Sequence, residues 1–104
     1  MAGLLAITMA TGAHAQTSFR AGVVSKLELT DGTGYGFRVT LRQADALPLS
    51  DCAAGFAFIN VTHNNYGAIT ALLMSSYIEK RSVTLFVDKQ ASDGFCRIAN
   101  VIVQ

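Results

Sequence analysis

Between residues 23 and 103 the apolar positions fall into five strand-like runs and one helical run. Residues 23–29 (VVSKLEL) alternate, with Val23, Ser25, Leu27 and Leu29 on one face and Val24, Lys26 and Glu28 on the other, the period of a half-buried strand. Thr30-Asp31-Gly32-Thr33-Gly34 is turn chemistry, since Asp-Gly favours positive φ. Residues 35–42 alternate again, setting Tyr35, Phe37, Val39 and Leu41 against Arg38, Thr40 and Arg42, which predicts a hairpin. Residues 43–51 hold the only proline, Pro48, and read as a loop. Residues 52–61 (CAAGFAFINV) are apolar on both faces, the mark of a central strand. Thr62-His63-Asn64-Asn65 ends in good helix-capping residues, and residues 66–80 repeat Ile69, Leu72, Leu73, Ser76 and Tyr77 at three- and four-residue spacing. Lys80 and Arg81 then stand where a helix C-terminus favours positive charge. Residues 82–88 and 95–103 complete the pattern as a fourth and a fifth strand, with a loop at 89–94.

The order is β-β-β-α-β-β, mainly β. It is the order of the oligonucleotide/oligosaccharide-binding (OB) fold, a five-stranded Greek-key barrel with one helix between strands 3 and 4. An α+β sandwich would use the same elements. The helix carries a second message, because residues 66–78 contain no charge. A lone surface helix should show a charged outer stripe. This one offers Gly67, Thr70, Ala71 and Ser75 instead, residues that suit close contact with another protein surface.

Composition narrows the class. The chain has 104 residues, 51% hydrophobic and 14% charged, enough for one domain with one core. Eight Lys+Arg against seven Asp+Glu leave a net charge of +1, too little to hold a polyanion, so nucleic acid is not expected as a partner. Residues 1–15 (MAGLLAITMATGAHA) carry no acid or base and end in Ala13-His14-Ala15, a small-x-small triplet of the kind a signal peptidase cleaves. Their apolar run is too short for a membrane span. They are expected to be a signal segment, leaving a 16–104 domain in a secreted or periplasmic setting. The only two cysteines, Cys52 and Cys96, then read as one disulfide, which would contribute roughly 4 kcal/mol for a loop of about 45 residues.

Candidate chemistry is sparse. Outside the signal segment there is one histidine, His63, and no C-x-x-C, too little for a structural zinc site, and no metal or other cofactor is implied. Asp31, Asp45, Asp51, Asp88 and Asp93 fall in or beside turns, and Glu28 and Glu79 on outer faces, so no nucleophile–base pair or carboxylate pair stands out and no enzyme is expected. Gly32, Gly34 and Gly36 follow a strand, but another strand comes next, not the helix N-terminus a phosphate cradle needs. Asn60-Val61-Thr62 fits a glycosylation acceptor but begins inside a predicted strand. Phe19-Arg20, Tyr35 and the run His63-Asn64-Asn65-Tyr66 join flat apolar rings to hydrogen-bonding groups, as polar-ligand sites do.

The stretch NNYGAITALLM followed by SSYIEKRSVTLFVDK is similar to the matching stretch in B subunits of AB5-type bacterial toxins, the subtilase-cytotoxin group among them. Those proteins carry an aromatic-rich helix ending in Tyr, a short turn and a strand opening near Ser/Pro-Val. Tyr77 and Ser82-Val83 match, and VVSKLEL with the aromatic Tyr35 resembles their first hairpin. The resemblance implies an OB barrel, a ring of five with the helix lining a central pore, and binding of sialylated or other cell-surface glycans; it leaves room for a catalytic A subunit as partner without requiring one. Arg20 stands where sialic-acid-binding members place a serine, their Tyr-Ser-Thr-Gly turn is here Tyr77-Ile78-Glu79-Lys80, and their basic residue after the second strand has a counterpart in Arg42. The expected glycan contacts are therefore Phe19, Arg20, Tyr35, Arg42 and Tyr77. The alternatives are a structural or interaction protein of the same fold without sugar binding, and a single-strand nucleic-acid binder, which the signal segment, the disulfide and the low charge oppose.

Overall fold

A computed structural model of the chain describes residues 17–31 and 35–104. The expected signal segment and the glycines Gly32 and Gly34 lie outside the described residues. Within them run β1 (Thr17–Leu29), β2 (Phe37–Arg42), a 3-10 turn (Ala53–Gly55), β3 (Ala57–Ile59), α1 (Tyr66–Glu79), β4 (Ser82–Lys89) and β5 (Cys96–Val103). The strands form one mixed sheet in the order β1-β2-β3-β5-β4, and the order returns on itself because β1 pairs with both β2 and β4.

That double duty explains why β1 starts six residues before the run that the alternation marked. Residues Thr17 to Val23 lie against β4, Val23 to Leu29 lie against β2, and Val23 faces both Ser82 and Arg42. At the crossover Gly22 is required sterically, since a Cβ there would stand 2.8 Å from the Arg42 carbonyl oxygen. Just beyond it the register slips between Val24 and Lys26, leaving Ser25 as the extra residue of a β-bulge. A bulge bends a strand and increases its twist. It also splits the expected face: Val24 is buried, Leu27 only partly, and Leu29 is 74% exposed.

The other strands follow their alternation more closely. Phe37, Val39 and Leu41 of β2 and Val83, Leu85 and Val87 of β4 point into the core, with Cys96 and Ile98 of β5. Tyr35 stands outside β2, at φ 61°, in the turn that precedes it. The third strand is only three residues long, against the ten expected, because Ala54 and Gly55 take positive φ (60° and 77°) and coil the chain. Its central place holds: β3 lies between β2, antiparallel, and β5, parallel, and all three of its residues are buried. Cys52 and Cys96 form the disulfide, clamping the 3-10 turn to the start of β5, where the Ala53 amide also donates to the Gly94 carbonyl.

Helix α1 packs over β1, β5 and β4. Asn65 stands at its N-cap without a side-chain bond; instead the Asn65 amide donates to His63 Nδ1. Lys80 closes the other end in the left-handed conformation, its N–H donating to the Ser76 carbonyl. The inward face is Ile69, Thr70, Leu73 and Ser76, whereas Leu72 and Tyr77, expected inside, are 42% and 43% exposed. Thr70, expected on the outer stripe, is turned in, with its hydroxyl bonded to the Tyr66 and Gly67 carbonyls. A helix apolar all round carries no periodic signal strong enough to fix its rotation. Among the described residues no helix is long and apolar enough to cross a membrane.

Candidate functional site

The strand register builds one cross-sheet row whose members face outward: Glu28, Arg38, Phe58, Arg97, Asp88 and Thr17. Phe58 sits at its centre, on the outer side of the sheet, yet is fully buried. Aromatic rings cover it. Tyr35 meets Phe58 edge-on at 4.2 Å between centroids, Phe95 stacks on Tyr35 at 4.6 Å, and Phe56 tilts against Phe95 at 5.6 Å. The Arg38 guanidinium lies 4.8 Å from the centre of the Phe56 ring.

Tyr35 is the keystone of this cluster. Its amide donates to Asn60 Oδ1 (2.9 Å), its carbonyl accepts from Arg38 Nε (2.8 Å), and its hydroxyl donates to Asp93 Oδ2 (2.7 Å). These bonds hold a non-glycine residue in the left-handed region and join the β1–β2 turn to the 90–95 loop. The Asp93 carboxylate accepting from it, with burial and the negative charge acting the same way, raises the phenol above its ordinary value. Both the Tyr35 and the Phe95 side chains remain partly exposed.

A polar cleft of about 310 Å³ opens between the 60–64 loop and β5, lined by Asn60, Thr62, His63, Asn64 and Arg97. Asn60 follows β3 instead of lying within it, and it links the cleft to Tyr35. A second cleft, about 430 Å³, lies between the start of β1 and the 89–94 loop, bordered by Ser18, Arg20, Lys89 and Gln90. Its cations are engaged: Arg20 bonds both Asp51 oxygens, the Pro48 carbonyl and Ser18 Oγ, and Lys89 Nζ lies 3.9 Å from Asp51. Among the described residues no group of three or more His, Cys, Asp or Glu gathers as a metal site would need.

Two aspartates are tuned by this network. The Arg20 bond lowers Asp51 below the ordinary carboxylate value against the opposing effect of burial. Asp88 is lowered chiefly by the Thr17 hydroxyl, again against burial, with Arg97 adding to it at 2.9 Å. A folded-state pKa below the unfolded one contributes stability that is present above the unfolded value and lost as pH falls through the folded one. Asp88→Asn is therefore expected to lower the melting temperature at neutral pH and to flatten its decline on acidification to about pH 2. A melting curve displaced equally at every pH would contradict this role.

The five residues expected to hold a glycan are not brought together. Phe19 and Arg20 are neighbours in β1 and project to opposite sides: Phe19 is 70% exposed beside Phe86, whereas the Arg20 side chain is 16% exposed and committed to Asp51. Arg42 ends β2 opposite Val23, at the other end of that strand from Tyr35, and Tyr77 lies on α1. Of the five only Tyr35 belongs to the ring cluster described above, and it reaches the cleft only through its amide bond to Asn60. Arg38, Phe58, Phe95 and Arg97 escaped the sequence reading because they meet through the β2–β3 and β3–β5 pairings and through ring contacts between separate segments, which leave no local pattern. Arg97 did carry a signal, as an outward position between inward Cys96 and Ile98. Comparison of the chain with family models, curated proteins and solved structures finds no match.

Proposed function

We propose that this chain is an exported, non-catalytic OB-type barrel that assembles as a ring, five-membered as in AB5 toxin B subunits, and binds cell-surface glycans. The observation that carries the reading is the outer face of α1. Gly67, Ala71 and Ser75 lie exposed along one stripe with Met74 (45% exposed) and Ile78 (76%), and no charge interrupts it. An uncharged apolar helix face suits burial against a neighbouring copy better than solvent. The returning strand order, with a helix between β3 and β4 and a parallel β3–β5 pair, supports the barrel assignment. The disulfide supports an oxidising compartment. For the ligand, the support is the partly exposed Tyr35–Phe95 pair next to polar groups, the combination a pyranose ring with its C–H face and hydroxyl edge calls for.

Light scattering on the purified protein should return a mass about five times that of the chain, and Ala71→Glu, which sets a charge in the stripe, should release monomers that keep the wild-type circular dichroism. A wild-type monomer at micromolar concentration would end the ring reading. A glycan array tests the ligand. The dispersal of Phe19, Arg42 and Tyr77 favours the second reading, a structural or interaction protein of the same fold, and an oligomer without any glycan hit would select it.

A further inference from the structure

We propose that the polar cleft between the 60–64 loop and β5 is a subsite for an uncharged sugar unit, recognised through its vicinal hydroxyl groups. This rests on the glycan-binding reading above and assigns its site and ligand class. The cleft volume, about 310 Å³, is at the low end of pockets that hold small ligands. All five side chains lining it are polar. The Asn65 amide donates to His63 Nδ1, which leaves the Nε2–H of that ring as its donor. Asn60 Oδ1 accepts from the Tyr35 amide, which leaves the Asn60 NH₂ group to donate. Thr62 and Asn64, both exposed, supply groups that donate and accept. A sugar hydroxyl also does both, and so matches such a lining.

Charge separates a neutral ligand from an acidic one. Among the described residues Arg97 is the one Lys or Arg lining the cleft, and it already donates to Asp88 Oδ2 at 2.9 Å. Asp88 is held in turn by the Thr17 hydroxyl, and its side chain is only 17% exposed. A carboxylate entering the cleft would compete with a fixed counter-ion. Hydroxyl oxygens can accept from the remaining guanidinium hydrogens without disturbing the pair.

The test is a ¹H–¹⁵N NMR titration of the intact purified protein with methyl β-galactoside, methyl α-mannoside and the methyl glycoside of N-acetylneuraminic acid. A neutral hexoside is expected to shift the side-chain signals of Asn60, Asn64 and Arg97. Asn64→Ala should weaken its binding about tenfold, the effect of one lost hydrogen bond, and Arg42→Ala should leave it unchanged. Response to the N-acetylneuraminic acid glycoside alone, or shifts confined to other residues, would overturn the subsite and leave the glycan reading standing. Silence from both neutral hexosides likewise overturns the subsite, and only the further lack of any array hit removes the glycan reading itself.

Discussion

Replacing Cys52 and Cys96 together by alanine is expected to destabilise the domain by about 4 kcal/mol and to lower its melting temperature by on the order of 20 °C. The estimate follows from the sequence separation of 44 residues, since the bond removes from the unfolded chain the entropy of an open loop of that length. The loop it closes contains β3 and α1 with all of β4, and the bond holds the residues before β3 beside the start of β5. Both cysteines are buried, at 3% and 0% exposure, so truncation also removes packed side-chain atoms from the core. Differential scanning calorimetry of the double variant, beside the wild type with and without reductant, measures the effect. A loss near zero would mean that the sheet closes equally well without the clamp.

The second large effect joins the core to the candidate site. Phe58→Ala should destabilise by about 4 kcal/mol, within the range for deleting a fully buried aromatic ring. Phe58 differs from the rest of the core in facing outward beneath Tyr35, so the cavity left by alanine opens under the ring cluster. The same variant should therefore release Tyr35 from its left-handed turn and detach the β1–β2 turn from Asp93. Phe58→Leu, which keeps most of the volume, should recover more than half of the stability while still loosening Tyr35. Thermal unfolding gives the first quantity, and the Tyr35 NMR signal the second. If Phe58→Ala unfolded like wild type, Phe58 would have no part in holding the cluster.

Particular residues show how far local pattern reaches. The alternation at Phe37, Val39 and Leu41 and at Val83, Leu85 and Val87 placed two inner faces correctly, because one side of each strand meets the core and the other meets water. The doubly apolar Ala57, Phe58 and Ile59 were legible as central for the converse reason, since both their sides are covered. Residues 52–56 misled as strand. Apolar side chains extended the pattern there, while the backbone at Ala54 and Gly55 obeys a turn. The extension of β1 to Thr17 was hidden because its partner, β4, lies more than sixty residues away in sequence, at Asp88 for Thr17.

Arg20 shows the same division at the level of chemistry. As a residue type it suits a carboxylate ligand; in the folded chain its carboxylate is Asp51, brought from the 43–51 loop. Arg97, an unremarked base in a strand, becomes the cation of a polar cleft because β5 runs parallel to β3 and sets it level with Phe58 and Asn60's loop.

By itself the sequence determined the element order, the pairing of its two cysteines and the absence of charge over residues 66–78, since each depends on residue identity and near-neighbour spacing alone. Tertiary structure decided the bulge at Ser25, the rotation of α1, the pairing of Arg20 with Asp51 and the meeting of Tyr35 with Phe58, Phe95 and Asn60. Those depend on contacts between segments far apart along the chain. Their free energies come from burial and pairing across the closed sheet, and no local window of residues contains both sides of such a contact.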